Sequence, residues 1–255
     1  MKTISTFLFG LVCCALLATS LVVAPSDAVA QDTDDEGLVY VAYFKVSYAD
    51  LEEWIDIYHE HTLPILQQLQ EEGVITNWGL QQHSTGGEYN LRFAILAEEW
   101  DKYDQFWGEY LGGLEERSEE ASARWSAMIQ DHNDEIWNIT SQHFPDPAPE
   151  IAYLYDSLFQ IGYDELDEWN RFWKETVGPI LDQAMEDGIL GGWVVEGHNT
   201  GGRYNWKVLY FFEEWDDMDD MFGLVLGQIP SDAALWKQIQ AHDDVIWAVV
   251  SDPAE

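Results

Sequence analysis

"HSTGGEYN" occupies residues 83–90 and "HNTGGRYN" residues 198–205. Six of the eight letters agree, at an offset of 115 residues. Adjacent glycines between two β-rich runs mark a tight hairpin, because its turn needs positive φ. A hairpin does not demand histidine. His83 and His198 therefore ask for a reason beyond the turn.

The octapeptide belongs to a longer repeat, and the repeat decides the fold. From Tyr40 to Asp101 the chain matches Tyr155 to Asp216 without a gap, so "YADLEEWIDIYHEHTLPIL" answers "YDELDEWNRFWKETVGPIL". Copy one then carries five extra residues around "GGLEERSEEASA", after which "IQDHNDEIW" answers "IQAHDDVIW". The proline-bearing "TSQHFPDPAPE" is read as a linker. Two modules of about 105 residues follow, a common domain size. Their expected limits are 38–140 and 152–251, with the linker at 141–151.

Each module reads alike. A β-rich run ("VYVAYFKV" or "LYDSLFQI") leads into a helix with apolar residues at three- and four-residue spacing. Pro64 and Pro179 interrupt that helix at the same place and predict a kink. Two strands joined by the octapeptide come next, then a second helical stretch. A last strand over "EIWNI" or "VIWAVV" closes the module, with His132 and His242 placed just before it. The order β-α-β-β-α-β is the ferredoxin-like arrangement.

Strand period sorts the side chains into two faces. Trp78, Leu80, Tyr89, Leu91 and Phe93 share one, matched by Trp193, Val195, Tyr204, Trp206 and Val208. Gln81, His83, Asn90 and Arg92 share the other, matched by Glu196, His198, Asn205 and Lys207. The chain holds only 11 basic residues, yet a cation recurs at the Arg92/Lys207 position. A second histidine also recurs, His132 and His242, each followed by an aspartate, Asp134 and Asp244. These eight residues, His83, Asn90, Arg92, His132, His198, Asn205, Lys207 and His242, are the ligand-binding candidates.

The tandem modules, with a Trp-bearing first helix ending in "LPIL" or "GPIL" and a Trp-bearing second strand, resemble the dimeric α/β-barrel superfamily. That group includes antibiotic-biosynthesis monooxygenase-like, stress-responsive barrel and NIPSNAP-like proteins. The resemblance implies an α+β fold in which the two antiparallel sheets close one intramolecular α/β barrel. A monomer, or a dimer of complete barrels, is the expected assembly.

Charge and motifs narrow the function. The chain has 48 acidic residues and a net charge of −37, so it lacks the basic footprint that nucleic acid needs. Such a surface suits a soluble protein of salty surroundings. The first thirty residues read as a signal peptide: Lys2 precedes an apolar run, and Ala28 and Ala30 frame a cleavage site. A short leader over 31–37 follows. Cleavage removes Cys13 and Cys14, leaves no integral membrane segment, and implies a periplasmic or secreted protein. There is no P-loop, nucleophile elbow, zinc spacing or dinucleotide fingerprint. No cofactor is expected, and no metal: His59 and His61 are two apart on a helix and point to different sides. The leading expectation is a small-molecule-binding barrel with an aromatic-rich cavity. One alternative is a cofactor-independent monooxygenase or isomerase acting on an aromatic or polyketide-like compound. In it His83 or His198 is the base, and Arg92 or Lys207 stabilises an enolate. A second alternative is haem or metal binding through histidine.

Overall fold

The computed structural model describes residues 37–229 and 234–251. The expected signal peptide lies outside them. Module 1 runs β1 (Leu38–Val46), α1 (Leu51–Ile57), α2 (Leu63–Glu71), β2 (Asn77–Thr85), β3 (Leu91–Ala97), α3 (Trp100–Arg117), α4 (Glu119–Met128) and β4 (Ile129–His143). Module 2 runs β5 (Tyr153–Ile161), α5 (Leu166–Phe172), α6 (Gly178–Glu186), β6 (Gly192–Thr200), β7 (Trp206–Phe212), α7 (Asp217–Gln228) and β8 (Ile239–Ser251). The kinks expected at the prolines take the form of π turns, Tyr58–Thr62 and Trp173–Val177, immediately ahead of the proline-bearing turn. The five extra residues of copy one go into the α3–α4 region, where Ser118 caps α4 by accepting the Ala121 N–H. Among the described residues, module 2 has a short 3-10 turn there, Ala234–Gln238.

The eight strands close a barrel in the order β1-β3-β2-β8-β5-β7-β6-β4. A lone module would expose β2 and β4 as open edges, which invite aggregation. The tandem partner covers both. β4 and β8 do so by being long. Residues 129–138 of β4 pair with β1 while 136–143 pair with β6. β8 likewise pairs first with β5 and then, over Ile246–Ser251, with β2. The last strands thus begin about six residues earlier than the apolar run suggests, and His132 and His242 lie inside them. Their first halves are polar and largely exposed on both faces, so hydrophobicity does not announce them.

Period two builds three cores. The even-numbered residues of β1, Tyr40 to Val46, face the helices of module 1 together with Trp54, Leu66 and Phe93. Phe159, Ile161, Trp169, Leu181 and Trp206 do the same in module 2. Val39, Val41, Tyr43, Trp137, Leu154, Leu209 and Trp247 face the lumen. Tyr89 and Tyr204 depart from the expected face and pack with the lumen cluster. They precede β3 and β7, so strand alternation does not govern them.

Candidate functional site

The repeated octapeptide sits at the seam between modules. Gly86, at φ 87°, lies on the Asp244 carbonyl of β8, and Gly201, at φ 86°, lies on the Asp134 carbonyl of β4. A Cβ at either position would overlap that backbone oxygen. Each hairpin tip therefore rests on the last strand of the other copy. His83 Nε2 meets the Gly86 carbonyl within its own turn, and His198 Nε2 meets Gly201 O at 2.5 Å. Both rings stand edge-on to a seam tryptophan, Trp247 at 6.0 Å and Trp137 at 5.6 Å. Asn90 clasps Val46 twice, accepting its N–H at 2.8 Å and donating to its carbonyl at 2.6 Å. Asn205 repeats this on Ile161 at 2.8 and 2.7 Å. These clasps extend β3 and β7 past the irregularity where β1 and β5 leave their ladders. A 440 Å³ concavity opens beside the first hairpin, with Lys45, Ser47, Tyr48, His83, Tyr89 and Gln130 on its wall.

Arg92 and Lys207 point into the lumen and are buried. Arg92 Nη1 donates to Gln81 Oε1 at 2.7 Å, and its Nε lies 3.8 Å from Asp156 Oδ2. Lys207 Nζ lies 2.5 Å from Glu196 Oε2 and 4.3 Å from the centre of the Trp137 ring. Trp137 Nε1 donates to Glu135 Oε2 at 3.0 Å. Two cations thus face three buried carboxyl groups, Glu135, Asp156 and Glu196. Burial pushes the Asp156 carboxyl up to about 6, although Lys207 and Arg92 pull it down.

His132 and His242 face outward, away from Arg92 and Lys207. Module 2 builds a closed cluster there. Ser157 Oγ donates to Asp244 Oδ1 at 2.7 Å, with His242 Nε2 3.1 Å from Ser157 and 3.0 Å from Asp244. Burial would raise the Asp244 carboxyl, but hydrogen bonds from His242 and Ser157 outweigh it and hold it below the usual range. The set is not a nucleophilic relay: one ring nitrogen faces both partners, and the serine proton already points at the carboxylate. The His242 ring stacks on Phe159 at 4.5 Å, and Phe222 covers Tyr155 at 4.7 Å.

Module 1 leaves the same place open. A cleft of 420 Å³ lies between α3 and the outer face of β1 and β4, lined by Tyr40, Tyr103, Trp107, Asp134 and Ile136, and walled by Thr200 and Gly201 of the second octapeptide. Tyr40 donates to Asp134 Oδ1 at 2.7 Å. Burial and that carboxylate hold the phenol protonated, far above its usual range. His132 Nε2 lies 3.5 Å from the other oxygen of Asp134. None of the eight sequence candidates lines this cleft: His132 and His198 touch its wall residues Asp134 and Gly201, His83 and Asn90 line the concavity by the first hairpin, and Arg92 and Lys207 sit in the lumen. Tyr40, Tyr103 and Trp107 carry no mark in the sequence beyond being aromatic. Asp156 does: it is an acid in mid-strand where copy one has Val41. Among the described residues no cluster of three His, Cys, Asp or Glu side chains forms a metal-binding group, and no helix is long and apolar enough to cross a membrane.

No protein-family model matches the chain, and no curated protein sequence matches it. Solved structures do. A monooxygenase candidate from Lactobacillus acidophilus NCFM superposes with a TM-score of 0.60 at 6% identity, over 85% of this chain and 95% of that one. A second monooxygenase candidate, from Fusobacterium nucleatum, gives 0.58 at 9% identity over 86% and 95%. A mutant chlorite dismutase from Candidatus Nitrospira defluvii gives 0.55 at 9% identity over 84% and 91%. With its closed eight-stranded barrel and a ferredoxin-like module on each side, the chain has the fold of the dimeric α/β-barrel superfamily, both halves written in one polypeptide.

Proposed function

We propose that the protein binds a small organic molecule in the module 1 cleft. The observation that carries this reading is the cleft itself: a 420 Å³ hollow in which rings from two elements and a carboxylate are walled by the other module's hairpin. Aromatic walls with a few placed polar groups are the usual make-up of a small-molecule site. Mass spectrometry of compounds retained by the natively purified protein tests it, alongside titration with naphthol as a flat neutral probe read by tryptophan fluorescence. Trp107→Leu should abolish retention and naphthol binding while the protein still melts cooperatively. Undiminished retention in that variant would move the site elsewhere.

Turnover of the bound molecule is a second reading. It is favoured by the two monooxygenase-named neighbours and by His132, an imidazole 3.5 Å from the Asp134 carboxylate of the cleft. Oxygen uptake that depends on the retained compound and is lost in His132→Gln would establish it. The same proposal places the protein outside the cytoplasm, on the strength of its first thirty residues. Amino-terminal sequencing of the mature protein should begin at Gln31. Its acidic surface should gain stability as salt screens self-repulsion, so melting temperature should rise in potassium chloride.

A further inference from the structure

We propose that the module 1 cleft is selective for a quaternary ammonium compound, an organic cation whose charge is cloaked in methyl groups. The inference rests on the reading that this cleft is the ligand site. Three observations carry it. First, the rings form a corner rather than a stack. Trp107 stands at 85° to Tyr40, 5.0 Å away, and at 85° to Tyr103, 6.2 Å away. Tyr40 and Tyr103 are 5.5 Å apart at 48°. A flat ligand is best served by parallel walls. Ring planes set at right angles suit a rounded group, and the negative face of an aromatic ring attracts a cation.

Second, the countercharge is present and uncancelled by any strong base. Asp134 lines the cleft, while no lysine or arginine does. Its outer neighbour His132 is 3.5 Å away and exposed. A net charge of −37 draws cations toward the surface and repels anions. Third, the carboxylate of the cleft is already partly engaged. One oxygen of Asp134 already accepts from Tyr40. A primary ammonium brings three N–H donors that need partners, and a quaternary nitrogen brings none. Module 2 supplies the contrast. Met218 and Phe222 stand where module 1 has Tyr103 and Trp107, and Asp244 is consumed by Ser157 and His242.

The test titrates the whole mature protein with choline, with ethanolamine, and with the uncharged isostere of choline in which carbon replaces nitrogen. Choline should bind at least about tenfold more tightly than either. Asp134→Asn should lower choline affinity by a similar factor while leaving the isostere unchanged, and Trp107→Leu should remove both. Added salt should weaken choline and spare the isostere. Equal affinity for choline and its isostere, or an Asp134→Asn variant that binds choline normally, overturns the proposal. Naphthol binding without choline binding rejects the cation and leaves the cleft as a ligand site. Binding of neither, with retained compounds that survive Trp107→Leu, removes the cleft reading itself.

Discussion

In module 1 the outward carboxylate of the last strand, Asp134, accepts one short hydrogen bond, from Tyr40, and looks onto an open cleft. In module 2 its counterpart Asp244 is engaged by Ser157 and His242, and Phe222 lies over the neighbouring tyrosine. The lumen diverges in the same way. Module 1 contributes Val41 and Gln81 where module 2 contributes Asp156 and Glu196. Yet the seam hardly differs: both hairpins carry the same histidine contact to a glycine carbonyl, the same asparagine clasp and the same rest on a partner carbonyl. Closure of the barrel uses each hairpin once, so both must keep the geometry that docks them. A cleft need exist only once, and the second copy is free to fill its own.

The largest expected effect tests the lumen half of that comparison. Lys207→Met leaves Glu196 buried without its cation and should cost about 3–5 kcal/mol in urea unfolding. Adding Glu196→Gln, the residue module 1 uses, should recover most of the loss. A double variant no better than the single would show that the two modules' lumen contributions are not interchangeable.

Asp156 gives a pH signature that Val41 cannot. Its folded pKa of about 6 lies above the ordinary value of 3.8. The folded state therefore holds more protons between these values, and this group's contribution to stability falls as pH rises through that window. The effect is on the order of 2–3 kcal/mol. Asp156→Asn should flatten the stability profile between about pH 4 and pH 6, measured by thermal melting against pH. An unchanged profile would assign the dependence to other carboxylates.

Gly86→Ala and Gly201→Ala should each cost about 2 kcal/mol, since both force a side chain into the left-handed region against a partner carbonyl. Equal losses sharpen the picture of two equivalent seams. A loss confined to one would break it. The smallest effect belongs to Ser157→Ala, which installs the Ala42 of module 1. Losing its bond to Asp244 should lower stability by about 1 kcal/mol in thermal melts.

Much of the fold was legible in the residues. The 115-residue repeat, the glycine pairs and the alternation along each strand led to paired ferredoxin-like modules, and the closed barrel that the resemblance implied is present. The polar face of β2 and β3 was legible too, and Arg92, Gln81, Lys207 and Glu196 do turn to the lumen. The early start of β4 and β8 was not, because "IQDHND" has no apolar run to reveal a strand. Nor was the cleft, since Tyr40 and Trp107 are 67 positions apart and only the packing of α3 across β1 joins them.

The sequence by itself determined the repeat, the order of elements and which residues share a face of each strand, because turn chemistry and the period of two act over neighbouring residues. Only the tertiary structure decided what those residues touch. Asn90 and Asn205 spend their amides on backbone across the sheet, and His83 and His198 contact the carbonyls of their own turns. Asp134 faces a cleft whose far wall comes from the other module. A side chain's partners are set by what the closed barrel brings within hydrogen-bonding reach, and that closure joins positions more than a hundred residues apart.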